Sequence, residues 1–250
     1  MTLDSGWKRT IDDGIANPEW DAYDALVRSE IGPLECSVVN RHYNARFIAD
    51  AQRTRYPGVD WKLAKAILWV ESGGPKGGAW ATRPMQIGNP GDPAYAVVKG
   101  GRDGSAIVMS AELAEAIKSG SIDQPQLNVR AGIAYLFTRM AQFDMITVRD
   151  PVDSSIQLVR VQPGDSLERI AKRVGTTVEI LSAMREVNSS RVLRIGEALQ
   201  YRKAKLQLSI VGWRTWDYAT IAARYNGGGD KHYAEKLEYV HAGLFPKLVR

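Results

Sequence analysis

Hydrophobic positions recur at helical spacing through most of the first 150 residues. Residues 1 to 58 read as mainly helical, broken at Pro18, Pro33 and Pro57. The stretch "WDAYDALVRSEIG" predicts one helix, and "VVNRHYNARFIADAQRTRY" predicts a second that stops before Pro57. The third is "WKLAKAILWVE", with Asp60 placed to cap its N-terminus and Gly73 and Gly74 placed to end it. Apolar residues surround that third helix on nearly every side, which predicts a central place in the core. Residues 73 to 104 are rich in Gly and Pro and read as a long irregular segment. Trp80, Met85, Ile87 and Tyr95 within it argue for an ordered loop. Helical spacing returns in "SAELAEAIKSG" and "QLNVRAGIAYLFTRMAQF".

After Asp150 the period changes. Alternation at Leu158, Val159 and Val161 predicts a strand, which turns at Pro163-Gly164. Asp165 or Ser166 can cap a short helix, "LERIAKRVG", and Thr176 or Thr177 a second, "VEILSAMREV". A second strand-like run, "EALQY", closes the unit. Its expected core is Val161, Leu167, Ile170, Ala171, Val178, Leu181, Leu193, Ile195 and Leu199. The flanking "DPVDSS" and "RKAK" read as linkers. Helical spacing then resumes through "TWDYATIAARYNGGGDKHYAEKLEYVHAGLF". The fold class is therefore mainly α: a helical domain from residues 1–150 and 204–250, discontinuous in sequence, with a small βααβ module inserted at 157–203.

Composition narrows the function classes. The chain has 250 residues, 44% hydrophobic and 24% charged, which suits a globular protein with a sizeable core. No window reaches the roughly 18 to 20 apolar residues of a membrane span. The N-terminus lacks the apolar stretch of a secretory signal, so the protein is expected either to stay in the cytoplasm or to leave by a route that needs no cleaved signal. Cys36 is the sole cysteine, and with His42, His232 and His241 scattered, no metal site and no cofactor is expected. Net charge is +5, and residues 157–203 carry nine Lys/Arg against five Asp/Glu. A basic module suits nucleic acid, an anionic wall polymer or plain solvation. The Lys/Arg–aromatic interleaving of a nucleic-acid stacking platform is missing, so nucleic acid is set aside.

The candidate chemistry centres on "AILWVESGGPKGGAW", residues 66 to 80. Glu71 ends an apolar run, where desolvation favours its neutral form. A carboxyl kept protonated in this way can serve as a general acid, and an apolar site lifts a glutamate from about 4.3 to about 6. The alternative is that Glu71 turns into solvent at a helix end.

Residues 158 to 201 resemble the LysM module. The sequence "VRVQPGDSLERIAKRVGTTVEIL" matches the family's strand, Gly-Asp turn and first helix, and "LRIGEAL" matches its closing stretch. The Leu-Asn pair common after the second helix is replaced by "AMREVN". The resemblance implies binding of polymers containing N-acetylglucosamine, with sugar contacts around Gly164, Asp165, Ser166 and Leu167, and near Thr176 and Thr177.

The remainder resembles the soluble lytic transglycosylases, which share a fold with goose-type lysozyme. Glu71-Ser72 matches the "ES" ending a buried helix, "RPMQI" at Arg83 to Ile87 matches "GLMQI", and "RYNGG" at Arg224 to Gly228 matches "AYN.G". The helix from Asn128 to Leu136 and the run at Glu235, Tyr239 and Val240 also fit. Arg83-Pro84 in place of Gly-Leu, and Arg224 in place of Ala, are departures. The resemblance implies a lysozyme-like catalytic domain acting on peptidoglycan glycan strands. It implies that Glu71 protonates the bond between N-acetylmuramic acid and N-acetylglucosamine and then takes a proton from the C6 hydroxyl as a 1,6-anhydro ring closes. Gln86 and the Met85 backbone would hold substrate, Tyr225 and Asn226 would position Glu71 or the N-acetyl group, and Ser72, Glu235 and Trp80 complete the candidate set. Secretion-system or phage-lysis partners fit the delivery route. If Asp92 or Asp103 supplies a second carboxylate, the reaction becomes that of a hydrolysing muramidase; an inactive wall-binding protein is the other alternative.

Overall fold

Buried side chains gather around the run that ends at Glu71. The computed structural model describes residues 3–32, 58–101, 103–150, 152–153, 155–185 and 192–248. The helix expected from "VVNRHYNARFIADAQRTRY", together with Cys36 and His42, lies outside these residues. The described residues divide into two units, one of residues 3–32, 58–142 and 210–248 and one of residues 143–209.

In the first unit, α1 (Ser5–Asp12) is capped by Asp4 and followed by 3-10 turns at Asp13–Ile15 and Pro18–Asp21. Residues 24–32 are helical. Helix α2 (Trp61–Ser72) starts where Asp60 accepts the backbone N–H of Lys62, and ends at Gly73 in the left-handed region. Leu63, Ala64, Ala66, Ile67, Leu68 and Trp69 are all buried, as the all-round apolar pattern requires. Lys65 is buried among them, and bonds to Asp21 (2.6 Å) and Asp24 (2.8 Å) satisfy its charge. Trp69 meets Trp20 and Phe245 edge-on, at ring centroids of 4.6 and 5.0 Å. Past the helix, Gly74 has φ +85°, and a Cβ there would lie 2.0 Å from the Trp20 ring. Only glycine satisfies both constraints.

The Gly/Pro-rich segment differs from the irregular loop expected. It contains α3 (Gly78–Thr82), α4 (Pro93–Gly100) and α5 (Ser105–Val108). Asp92 caps α4 with Pro93 in its first turn, so the residues that suggest a loop serve here as helix punctuation. Helix α6 (Ala111–Ser119) follows the Ser110 cap. Helix α7 (Pro125–Met140) is buried along almost its whole length.

Helix α7 ends earlier than expected: "AQF" opens strand β1 (Ala141–Arg149). Its partner is β4 (Ala204–Trp213), which replaces the "RKAK" linker. The unit boundaries thus fall at 142/143 and 209/210 rather than at 150 and 204. The β-branched residues Ile146, Thr147 and Val148 favour the strand.

In the second unit, β2 (Gln157–Arg160) pairs antiparallel with β3 (Ala198–Tyr201), with Val159 opposite Leu199. Helices α8 (Leu167–Val174) and α9 (Val178–Met184) lie between them in sequence. The core is Val161, Ile170, Ala171, Leu181, Leu199 and Tyr201, with Leu167, Val178 and Leu193 partly buried against it. Ile195 is a correction: it is 71% exposed, since it sits in the turn before Gly196. Tyr201 takes a core place instead, its hydroxyl donating to Gln157 at 2.6 Å.

The C-terminal helical run forms α10 (Tyr218–Ile221), a π turn at Ala222–Asn226, α11 (Tyr233–Glu238) and a second π turn at Tyr239–Leu244. A π turn rotates the residues that follow it relative to an α-helix and often marks a functional position. The first carries Tyr225 and Asn226.

Candidate functional site

Helix α2 presents Glu71 at the edge of an open cavity of about 180 Å³. Four other predicted residues share that cavity: Met85, Gln86, Tyr225 and Asn226. Asn89, Asp92 and Tyr135 complete its polar and aromatic lining. The two halves of the helical unit, separated in sequence by the βααβ module, therefore meet here.

Glu71 is partly exposed by surface area and lines the cavity, yet burial is the strongest influence on its carboxyl. Burial raises its pKa from the ordinary 4.5 to about 7. A hydrogen bond from Tyr233 opposes the rise, and the charges of Asp92 and Asp230 add to it. The Tyr233 hydroxyl donates to Glu71 Oε1 at 2.6 Å. Burial, with the nearby Glu71 charge, holds the Tyr233 pKa well above its usual value, so it remains a donor.

This corrects the role expected for Tyr225. Its hydroxyl donates to the Met85 carbonyl at 3.1 Å, and its ring meets Tyr135 edge-on at 5.4 Å. Tyr225 braces the loop opposite, and Tyr233 is the tyrosine bonded to Glu71. Met85 changes role too. Its N–H donates to Asn128 Oδ1 at 2.9 Å and its carbonyl receives Tyr225, so its backbone is committed to holding the loop. A Cβ on Gly132 would lie 2.5 Å from the Met85 side chain, which explains the glycine in α7.

Gln86 has φ +58° and is the one non-glycine residue with positive φ among the described residues. Such strain costs on the order of 1–3 kcal/mol and collects at functional sites. The loop holds Gln86 in place: its Nε2 donates to the Arg83 carbonyl at 3.3 Å and its Oε1 accepts from Asn89. Arg83, the departure from glycine, bonds to Asp123 and to Asn89 (3.1 Å), so it straps the same loop. Asn226 lines the cavity while its Oδ1 accepts the Asp230 N–H at 2.7 Å.

Three predicted residues lie elsewhere. Ser72 is buried, donates to the Leu68 carbonyl and accepts from Gly74, so it finishes the helix. Trp80 faces the core against Trp20 and Tyr23, because α3 turns it inward. Glu235 is exposed and bonds to His232 at 2.9 Å, one helical turn away. Of the two candidate second carboxylates, Asp92 lines the cavity and Asp103 does not.

In the βααβ unit, Gly164 takes the left-handed turn with φ +79°, and its carbonyl accepts from Arg169. Both Asp165 oxygens bind Arg173, at 2.7 and 2.8 Å, which locks the turn against α8. Ser166 caps α8, Thr177 caps α9, and Thr176 donates to the Arg202 carbonyl. Leu167 packs on the core. The hydroxyls and the carboxylate predicted to touch sugar are thus engaged in capping the two helices and holding the turn.

Tyr233→Phe removes only the hydroxyl. With Glu71 as the acid of the reaction proposed below, we expect a roughly tenfold slower rate, as for loss of a hydrogen bond to a charged group. Because that bond favours the carboxylate, its loss also moves the loss of activity at alkaline pH above pH 7. A pH–rate profile separates this from a packing defect, which lowers the rate without moving the profile.

Comparison with known proteins bears on the second unit. Residues 159–200 match the family model described as the LysM domain. LysM domains bind peptidoglycan, so the match implies association with the cell wall. No curated protein matches the chain, and no solved structure does. No helix among the described residues is long and apolar enough to cross a membrane.

Proposed function

We propose that the protein is a peptidoglycan lytic transglycosylase with a lysozyme-like catalytic domain, whose LysM module holds it to its polymer. The observation that carries this reading is Glu71. It is a carboxyl half-protonated near neutral pH, steadied by Tyr233 and open to a cavity lined by the Met85-Gln86 and Tyr225-Asn226 motifs. The protonated Glu71 gives its proton to the oxygen linking N-acetylmuramic acid to N-acetylglucosamine, and the C1–O bond breaks. The C6 hydroxyl oxygen bonds to C1, and its proton returns to Glu71. Water is not consumed, no cofactor is needed, and one carboxyl serves as acid and then base. The site of action is the periplasmic or extracellular wall.

A second reading rests on Asp92, whose carboxylate shares the cavity. A carboxylate there could activate water and make the enzyme a hydrolysing muramidase. Against it, one Asp92 oxygen already caps α4 through Ala94 at 2.9 Å. Mass spectrometry of the products from purified peptidoglycan in ¹⁸O-water decides between them. Anhydro-muramic ends without ¹⁸O are expected; reducing ends that carry ¹⁸O would establish hydrolysis. Binding with no soluble fragments would leave a wall-binding protein.

A further inference from the structure

The departure at Arg224 has a structural counterpart. Tyr135 lines the Glu71 cavity, and one turn further along α7 the guanidinium of Arg139 lies 5.9 Å from the Tyr135 ring. Arg139 Nε donates to the Arg224 carbonyl at 3.1 Å, and Arg214 Nε donates to the Arg139 carbonyl at 3.3 Å. Arg224 immediately precedes Tyr225. Three arginines therefore sit together, one of them next in sequence to Tyr225 of the Glu71 cavity. A second concavity, of about 590 Å³, opens there and is lined by Gln142, Trp213, Arg214, Thr215, Thr220 and Arg224 among others.

No ion pair among the described residues involves any of the three. The carboxylate nearest in sequence, Asp217, is held by the Thr220 hydroxyl and backbone N–H. Burial, then repulsion from Arg224 and Arg139, pushes the Arg214 pKa down. Like charges gathered without a counter-ion cost stability and make a field that attracts anions. For Arg139 and Arg214, the Nε–H is spent on a carbonyl, which leaves the terminal nitrogens of the fork for a carboxylate.

We propose that Arg214 and Arg224, with Arg139 bonded beside them, form a subsite for the carboxylates of the peptides that substitute peptidoglycan, so that peptide-bearing strands are favoured over bare glycan. This rests on the reading of the Glu71 cavity as the glycan site, because the peptide hangs from the same muramic acid that the cavity would hold. The Thr215 and Thr220 hydroxyls and the Gln142 amide add polar contacts.

Two measurements test it. The first compares fragment release from intact sacculi, freed of accessory phosphate polymers, with release from the same strands stripped by an amidase. The wild-type protein should favour intact sacculi roughly tenfold at low salt, as expected for charge-assisted contacts. Arg214→Gln/Arg224→Gln, and Arg224→Glu alone at an exposed position, should bring that ratio toward one. The second is titration of a stem tripeptide ending in diaminopimelate, followed by tryptophan fluorescence. The Arg variants should bind at least tenfold more weakly. Equal rates on both substrates, or equal peptide binding by wild type and variants, would overturn the subsite. A wild type that binds the peptide but releases nothing from either substrate would overturn the catalytic reading and keep the subsite.

Discussion

Glu71→Gln is expected to abolish wall digestion while making the folded protein more stable at pH 8; both effects follow from one carboxyl. Glutamine keeps the shape, and its Oε1 still accepts the Tyr233 hydroxyl, but it has no proton to give. Loss of general acid–base catalysis costs about 10² or more in rate. The stability effect follows from linkage. The Glu71 pKa is about 7 in the folded chain against 4.5 ordinarily. Below pH 4.5 the carboxyl is protonated in both states, and its contribution is fully present. As pH rises from 4.5 to 7 the unfolded chain gives up the proton first, so stability is lost, and above pH 7 the loss is complete. For a largely enclosed group the difference is about 2–3 kcal/mol. Denaturant midpoints should therefore show the variant more stable than wild type at pH 8 and level with it at pH 4. Near-normal turnover by the variant would remove Glu71 from the mechanism.

The hydrogen-bond partner of that carboxyl, Tyr233, lies 162 residues away in sequence and is not legible there. The local devices were legible. Asp60, the apolar run and Gly73 specify α2 within a dozen or so residues, and the Gly164 turn with its flanking caps specifies the LysM unit in the same local way. What failed was non-local. Strand β1 follows α7 without a breaker, and its partner comes only after the whole LysM unit, so nothing nearby announces the ribbon. Trp80 has the composition of a sugar platform and the neighbourhood of the site, but the short helix α3 points it into the core. Arg83 and Arg224 appeared as departures from a motif. Their bonds to Asp123, Asn89 and Arg139 give the departures a meaning that no sequence window contains.

Asn128→Leu tests whether the strained loop beside the acid is held from beneath. Asn128 is fully buried and makes three hydrogen bonds to backbone groups. Its Oδ1 accepts from Met85, and its Nδ2 donates to Ile87 at 2.8 Å and to Ile122 at 3.1 Å. Leucine has a similar volume, so packing is largely conserved while an N–H and two carbonyls lose their partners. Each unsatisfied buried group costs roughly 1–3 kcal/mol, and partial relaxation leaves an expected loss of about 3 kcal/mol or more. That exceeds the strain at Gln86, so the loop should relax rather than remain in place, and the cavity wall opposite Glu71 moves with it. Activity and stability should fall together. Gln86→Gly is the control, since glycine takes φ +58° without strain: stability should rise by about 1 kcal/mol while activity falls with the lost side chain. Urea midpoints with fragment-release rates for both variants check the contrast. If Asn128→Leu left stability unchanged, the loop would be held by Arg83 and Tyr225 alone, and the strain at Gln86 would need a different support.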